Sequence, residues 1–284
     1  MADAQGRIVA ELTEPTDARG AAHVAEQIVA CASKLAQTVG IETAQARHAM
    51  VGVPGAIDPR TGRISLTPNI PGLDSFEMLP FLRRHFGPEA AIDNDVNLAM
   101  LGEHAAGCAS HCRNAAFLAL GTGVGLGLLI DGRLYRGTSG SAGEIADLPI
   151  GSSTLELEVG SSAILDRYHR QGGSSTVTVR DIFTRLEQGD PVAATVLDTT
   201  AICVARGLAS LQSILDLELI VFGGSIGMRP ELLERVRYAL PTLFSRPIAI
   251  AASRLGDRAG LVGAAWAAAQ ALQNSRQGLR VNSP

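Results

Sequence analysis

Apolar runs that end in glycine turns alternate along this chain with stretches of helical period. Phe117-Leu118-Ala119-Leu120 leads into Gly121-Thr122-Gly123-Val124-Gly125, and a second apolar run continues to Ile130 before Asp131-Gly132. This pattern predicts a buried strand, a glycine turn, a second strand and a tight Asp-Gly hairpin. Leu219-Ile220-Val221-Phe222 repeats the theme, a continuous apolar strand closing on Gly223-Gly224-Ser225. Strands are also expected at 7–12, 49–53, 90–92 and 248–252. Helices are expected at 18–39, where Val24, Ile28, Cys31 and Leu35 share one face, and at 77–86, 97–107, 191–211, 230–240 and 259–271. Residues 144–159 read as loop, and the polar end 273–284 as a disordered tail.

Strand, glycine turn and helix recur in both halves, which suits an α/β protein of two similar lobes. The expected division is 1–114 and 115–272, ahead of the tail at 273–284. At 284 residues, 46% hydrophobic and 18% charged, the chain can bury a sizeable core. A net charge of −4 gives no electrostatic footprint for nucleic acid. No apolar run is read as long enough to span a bilayer and no signal peptide is seen, so a cytoplasmic protein with reduced thiols is expected. Cys108 and Cys112 stand near His104 and His111, but no second ligand pair follows at finger-like spacing, so they read as ordinary residues near a helix end.

Three segments carry candidate chemistry. Gly121, Gly123 and Gly125 let backbone N–H groups approach an anion, with the Thr122 hydroxyl beside them; the same glycines would also serve an empty tight turn. Asn94-Asp95 follows a strand, at the carboxyl end where open parallel sheets bind ligands. Asp95 can act as a general base and Asn94 can pair with a hydroxyl, or the two can cap the next helix. Glu144, in Gly143-Glu144-Ile145, is either a ligand-binding carboxylate or a solvated loop residue.

Taken together, Gly52-Val53-Pro54-Gly55, Pro68-Asn69, Asn94-Asp95, Gly121-Thr122-Gly123, Gly143-Glu144-Ile145 and Gly223-Gly224 resemble, in order and over nearly the whole chain, the ROK family of sugar kinases and sugar-responsive repressors. The resemblance implies a two-lobed, actin-like ATPase (ribonuclease H-like) fold. It implies Asp95 as catalytic base, Asn69, Asn94, Asp95, Glu144 and Glu156 at a monosaccharide, and Gly121, Thr122, Gly123, Gly223 and Gly224 at the nucleotide. The family's Asp-x-Gly-Gly-Thr phosphate loop and the strand before it have no counterpart, so the first lobe is expected to lack its first strand.

The family's His after Gly-Glu-Ile is replaced by Asp147, and no cysteine lies between Cys112 and Cys203, so no structural zinc is expected. These departures favour, as an expectation, the sugar-sensing module of a repressor whose DNA-binding head lies outside this chain. The alternative is an ATP-dependent sugar kinase acting on a glucose-type sugar or an N-acetylhexosamine, with Mg-ATP as cofactor. A homodimer is the family default, and no membrane partner is implied.

Overall fold

The structure, a computed structural model, describes residues 1–67 and 70–281. It folds as two compact units. The first comprises Met1–Ala105, Arg136–Ala142 and Arg258–Pro284; the second comprises Ala106–Tyr135 and Gly143–Asp257.

In the first unit, α1 (Ala21–Thr38) and α2 (Met78–Phe86) pack with β1 (Met50–Val53) around Ala25, Val53, Leu73, Met78 and Leu82. A short hairpin, β2 (Ala56–Ile57) with β3 (Ile64–Ser65), follows β1. β4 (Ala91–Asn94) runs parallel to β1, Val53 opposite Asn94, and feeds directly into α3 (Asp95–Ala106). Among the described residues, β1 and β4 form a two-stranded sheet. Within this unit lies a cavity of about 710 Å³, lined among others by Ile8, Ile28, Leu35, Met50, Phe86 and Leu261.

The second unit is built on a five-stranded sheet of order β11-β10-β5-β6-β7. β5 (Ala115–Leu120) and β6 (Val124–Ile130) form the antiparallel glycine hairpin, extended by β7 (Arg133–Leu134) across the Asp131-Gly132 turn. The segment expected as loop instead holds the hairpin β8 (Pro149–Ile150) with β9 (Ser153–Thr154), then α4 (Leu155–Val159). α5 (Ser161–Arg170), α6 (Val179–Glu187) and the long α7 (Pro191–Leu215) follow. β10 (Leu219–Gly223) lies parallel to β5, α8 (Gly224–Gly227) turns out of it, and α9 (Pro230–Leu243) precedes the edge strand β11 (Ile250–Ala252). Asp190 caps α7, its carboxylate accepting from the Val192 and Ala193 amides. Contrary to the sequence reading, α7 is long and apolar enough to cross a membrane, yet more than half of its most apolar stretch is buried inside the protein.

The closing helix α10 (Ala259–Val281) belongs to the first unit. Three further expectations change here. The boundary falls at Ala105, and two later segments return to the first unit, where 1–114 and 115–272 were expected. Side-chain and backbone contacts explain the return. Arg136 pairs with the buried Asp93, Gly140 lies so tight on the Ile57 carbonyl that no Cβ would fit, and Gly263 meets the Leu98 carbonyl in the same way. The expected tail is helical through Val281, because Gln, Arg and Leu extend an alanine-rich helix at little cost. Residues 7–12 form no strand. Asp3 accepts the Gln5 and Arg7 amides in a local turn, leaving one bridge, Ala2 to Ile8.

Candidate functional site

Ile92-Asp93-Asn94-Asp95 crosses from β4 into α3, and each polar side chain takes a different task. Asp93 is buried and accepts from Arg136 Nε at 3.1 Å, from the Asn94 amide at 2.9 Å and from Asn97 Nδ2 at 3.2 Å. It pins the start of the turn. Asn94 caps the helix, its Oδ1 accepting from the Val96 and Asn97 amides at 2.9 and 3.0 Å, while its Nδ2 donates to the Gly55 carbonyl at 3.0 Å. One amide hydrogen of Asn94 is left to offer a ligand.

Capping by Asn94 releases Asp95 from that duty. Asp95 Oδ1 accepts the neighbouring Val96 amide at 2.9 Å, and its side chain is solvent-accessible. The protein packed around it nevertheless disfavours its charge. Burial pushes its pKa above the ordinary carboxylate value, outweighing the backbone hydrogen bonds that pull it down. Gly52 explains how β1 comes so close: a Cβ there would stand 3.1 Å from Leu98 Cδ1 and 3.5 Å from Asp95 Cα. Asn69 lies outside the described residues.

The remaining candidates belong to the second unit. Gly121 closes the hairpin loop by donating to the Gly123 carbonyl at 3.0 Å, and Thr122 is exposed at its tip. The Thr122 and Gly123 amides have no partner among the described residues, so this loop presents free donors. The Gly223-Gly224 turn sits beside it, at the ends of the parallel strands β5 and β10. A Cβ on Gly224, at φ +77°, would strike the Leu120 carbonyl, and one on Gly223 would strike the Phe117 ring. Ser225 Oγ would be 3.7 Å from a Cβ on Gly121. The structure thus brings the two glycine turns together.

The two candidate glutamates lie along one side of β6. Leu126 donates to the Gly143 carbonyl at 3.2 Å, which fixes Glu144 next in line, half-buried. Two residues earlier on the same strand, Val124 donates to Glu156 Oε2 at 2.9 Å. Asp147, where the family carries histidine, is exposed. The residues do not fit a structural zinc. No Cys lies between Cys112 and Cys203, and among the described residues no three His, Cys, Asp or Glu side chains gather into a metal-binding group.

Asp93 was missed by sequence reasoning. Its signal was its place in the strand, since alternation turns it to the opposite face from Asn94 and toward the interior. Its partner Arg136, forty-three residues away, left no local trace.

The family model for ROK matches residues 2–271. A β-glucoside kinase from Klebsiella pneumoniae is 30% identical over 226 residues, 76% of each chain. Among solved structures, a ROK hexokinase from Thermus thermophilus superposes with a TM-score of 0.82 at 28% identity, covering 96% of this chain and 94% of that one. A ROK glucokinase from Streptomyces griseus, solved with glucose and AMPPNP, gives 0.80 at 26% identity, covering 95% and 94%. These relatives are named as sugar kinases, and they overturn the expectation of a repressor module. A ROK transcriptional regulator also superposes, with a TM-score of 0.80 over 95% of this chain and 74% of its own, but at 20% identity it shares the fold alone. The fold is the α/β, actin-like ATPase fold, and the chain belongs to the ROK family.

Proposed function

We propose that this chain is an ATP-dependent sugar kinase that phosphorylates a hydroxyl of a glucose-type hexose or an N-acetylhexosamine. The observation that carries the reading is Asp95: an accessible carboxylate at a strand's carboxyl end, spared from capping by Asn94 and raised in pKa by its surroundings. A general base works best when its pKa lies near the working pH, and burial moves Asp95 in that direction. In the proposed step Asp95 accepts the proton of the sugar hydroxyl as that oxygen bonds to the γ-phosphorus. The bond from that phosphorus to the β-γ bridging oxygen breaks, ADP leaves, and the proton passes from Asp95 to solvent.

Asn94 offers its remaining amide hydrogen to the sugar, and Glu144 accepts from sugar hydroxyls. Asn69 is assigned to the sugar on the family pattern alone. The free amides of Thr122 and Gly123 hold phosphate oxygens, and the Gly223-Gly224 turn borders the nucleoside. Mg-ATP enters as a substrate that brings its own cation. Stabilisation of the transferring phosphoryl group by fixed donors supplies most of the catalysis in such enzymes.

The test is ADP release across a panel of hexoses, N-acetylhexosamines and β-glucosides. Sugar-dependent ADP release with at least one sugar of the panel is expected. Absence of sugar-dependent ADP release across the whole panel refutes the assignment.

A further inference from the structure

The Asn94-Asp95 turn is fastened from outside its own segment, and the fastening runs through Arg136. Residues 136–142 return to the first unit as a closed loop, the Ala142 amide donating to the Arg136 carbonyl at 3.1 Å. Gly140 seats this loop on the Ile57 carbonyl of β2, while the Gly55 carbonyl just before β2 accepts Asn94 Nδ2. The short hairpin thus touches both the loop and the turn. Arg136 is thereby carried to the buried Asp93.

There the guanidinium meets the carboxylate through both Nε and Nη2. A two-pronged pair of this kind fixes the orientation of the carboxylate as well as balancing its charge. Asp93 Oδ1 accepts the Asn94 amide and Asn97 Nδ2, so one carboxylate grips the end of β4 and the first turn of α3. Asp95 lies between those two grips. The partners are unequally placed, the Arg136 side chain being 41% exposed and that of Asp93 only 7%. Loss of the arginine strands a buried carboxylate without its counter-charge, whereas loss of the carboxylate leaves a guanidinium that water can reach.

We infer that Arg136 is a positioning residue for Asp95: by pairing with Asp93 it holds the turn in the shape that presents the base. This rests on the kinase reading, and the unequal burial gives it a signature. Arg136→Met keeps most of the stem and removes the charge, so Asp93 turns from its amide partners toward water and the turn loosens. Adding Asp93→Asn removes the stranded charge and keeps an Oδ1 acceptor for the Asn94 amide. The second substitution should therefore repair the first.

The experiment measures Asn94 amide exchange, and steady-state kinetics with the best sugar of the panel, at a temperature where the proteins compared are folded. Wild type is set against Arg136→Met, Arg136→Lys and the double variant Arg136→Met with Asp93→Asn. Arg136→Met should exchange at Asn94 at least about tenfold faster than wild type. Its kcat should fall at least about tenfold, with KM for Mg-ATP unchanged because the glycine hairpin belongs to the second unit. The double variant should regain at least about threefold in both readouts. A double variant no better than Arg136→Met overturns the inference, as does Arg136→Met with wild-type kcat or wild-type Asn94 exchange. So does a fall in kcat matched by an equal rise in KM for Mg-ATP, the mark of general damage. If Arg136→Met does not fold, Arg136→Lys decides, since it keeps the charge and gives up the fork. Faster Asn94 exchange with a lower kcat in that variant supports the inference, and wild-type values overturn it. Should wild type show no sugar-dependent ADP release, the kinase reading fails, while the Asn94 exchange pattern still decides whether Arg136 holds the turn.

Discussion

The two units use the same device, a parallel strand that ends in a functional turn, and differ in how well that strand is supported. In the second unit β5 and β10 are neighbours inside a five-stranded sheet, and Phe117, Leu118, Leu120, Ile220, Val221 and Phe222 are all buried. In the first unit β1 and β4 stand as a pair. Ala91 donates to the Ala49 carbonyl, so in parallel register the polar backbone groups of Met50 and Gly52 turn to the unpaired side. Met50 and Val51 there line the cavity of about 710 Å³. Interiors normally pack without such voids, and regions of low packing open locally at lower free energy. The nucleotide candidates thus sit on the better-packed unit, and Asp95 on the looser one.

The largest contrast should come from truncation. Phe222→Ala, in the interior strand β10, should cost about 3–5 kcal/mol of stability in denaturant unfolding. Met50→Ala, at the cavity wall, should cost no more than about 2 kcal/mol, the low end for such a deletion. Equal losses would break the comparison.

Enlarging an alanine should reverse sign between the units. Ala205 is fully buried in α7, and Ala205→Leu should destabilise by about 1–3 kcal/mol through overpacking. Ala268 lines the cavity in α10, and Ala268→Leu should stabilise by about 0.5–2 kcal/mol by filling it. A destabilising Ala268→Leu would mean the cavity wall is already packed.

The smallest effect concerns Asp95 and pH. Its folded pKa is raised, so its contribution to stability is fully present below the ordinary carboxylate pKa and is lost as pH rises through the folded value. Near neutral pH the ionised group therefore costs stability. Asp95→Asn should melt slightly above wild type at pH 7 and level with it in acid. Asp17 behaves oppositely: Arg19 holds its pKa at about 2, so its contribution is lost as pH falls toward that value. An Asp95→Asn variant less stable than wild type at pH 7 would show that the carboxylate is held by attraction.

Much of this was legible in the sequence, for local reasons. The Phe117–Leu120 and Leu219–Phe222 runs had the continuous apolar character of strands buried on both faces, and the structure makes them neighbours. Gly223 and Gly224 stood out because the chain passes where no side chain fits. What the sequence hid depended on distant partners. Nothing near Arg136 announces Asp93, so the return of residues 136–142 to the first unit could not be read. The sequence left Asn94 and Asp95 either at a ligand or capping the next helix, and only the geometry of the turn divides capping from exposure. Glu156 was placed by the family resemblance alone, and its contact with the Val124 amide, set by the anchoring of α4, left no trace in the sequence.

The central claim is that Asp95 is the base of a sugar kinase, and the most direct measurement is the pH profile of kcat/KM for wild type and Asp95→Asn with the best sugar of the panel. Wild type should lose activity in acid with an apparent pKa above the usual carboxylate range. Asp95→Asn should fall at least about a hundredfold and lose that acid limb, while the sugar still shifts its melting temperature. An Asp95→Asn enzyme that retains wild-type kcat/KM and the same acid limb would contradict the account.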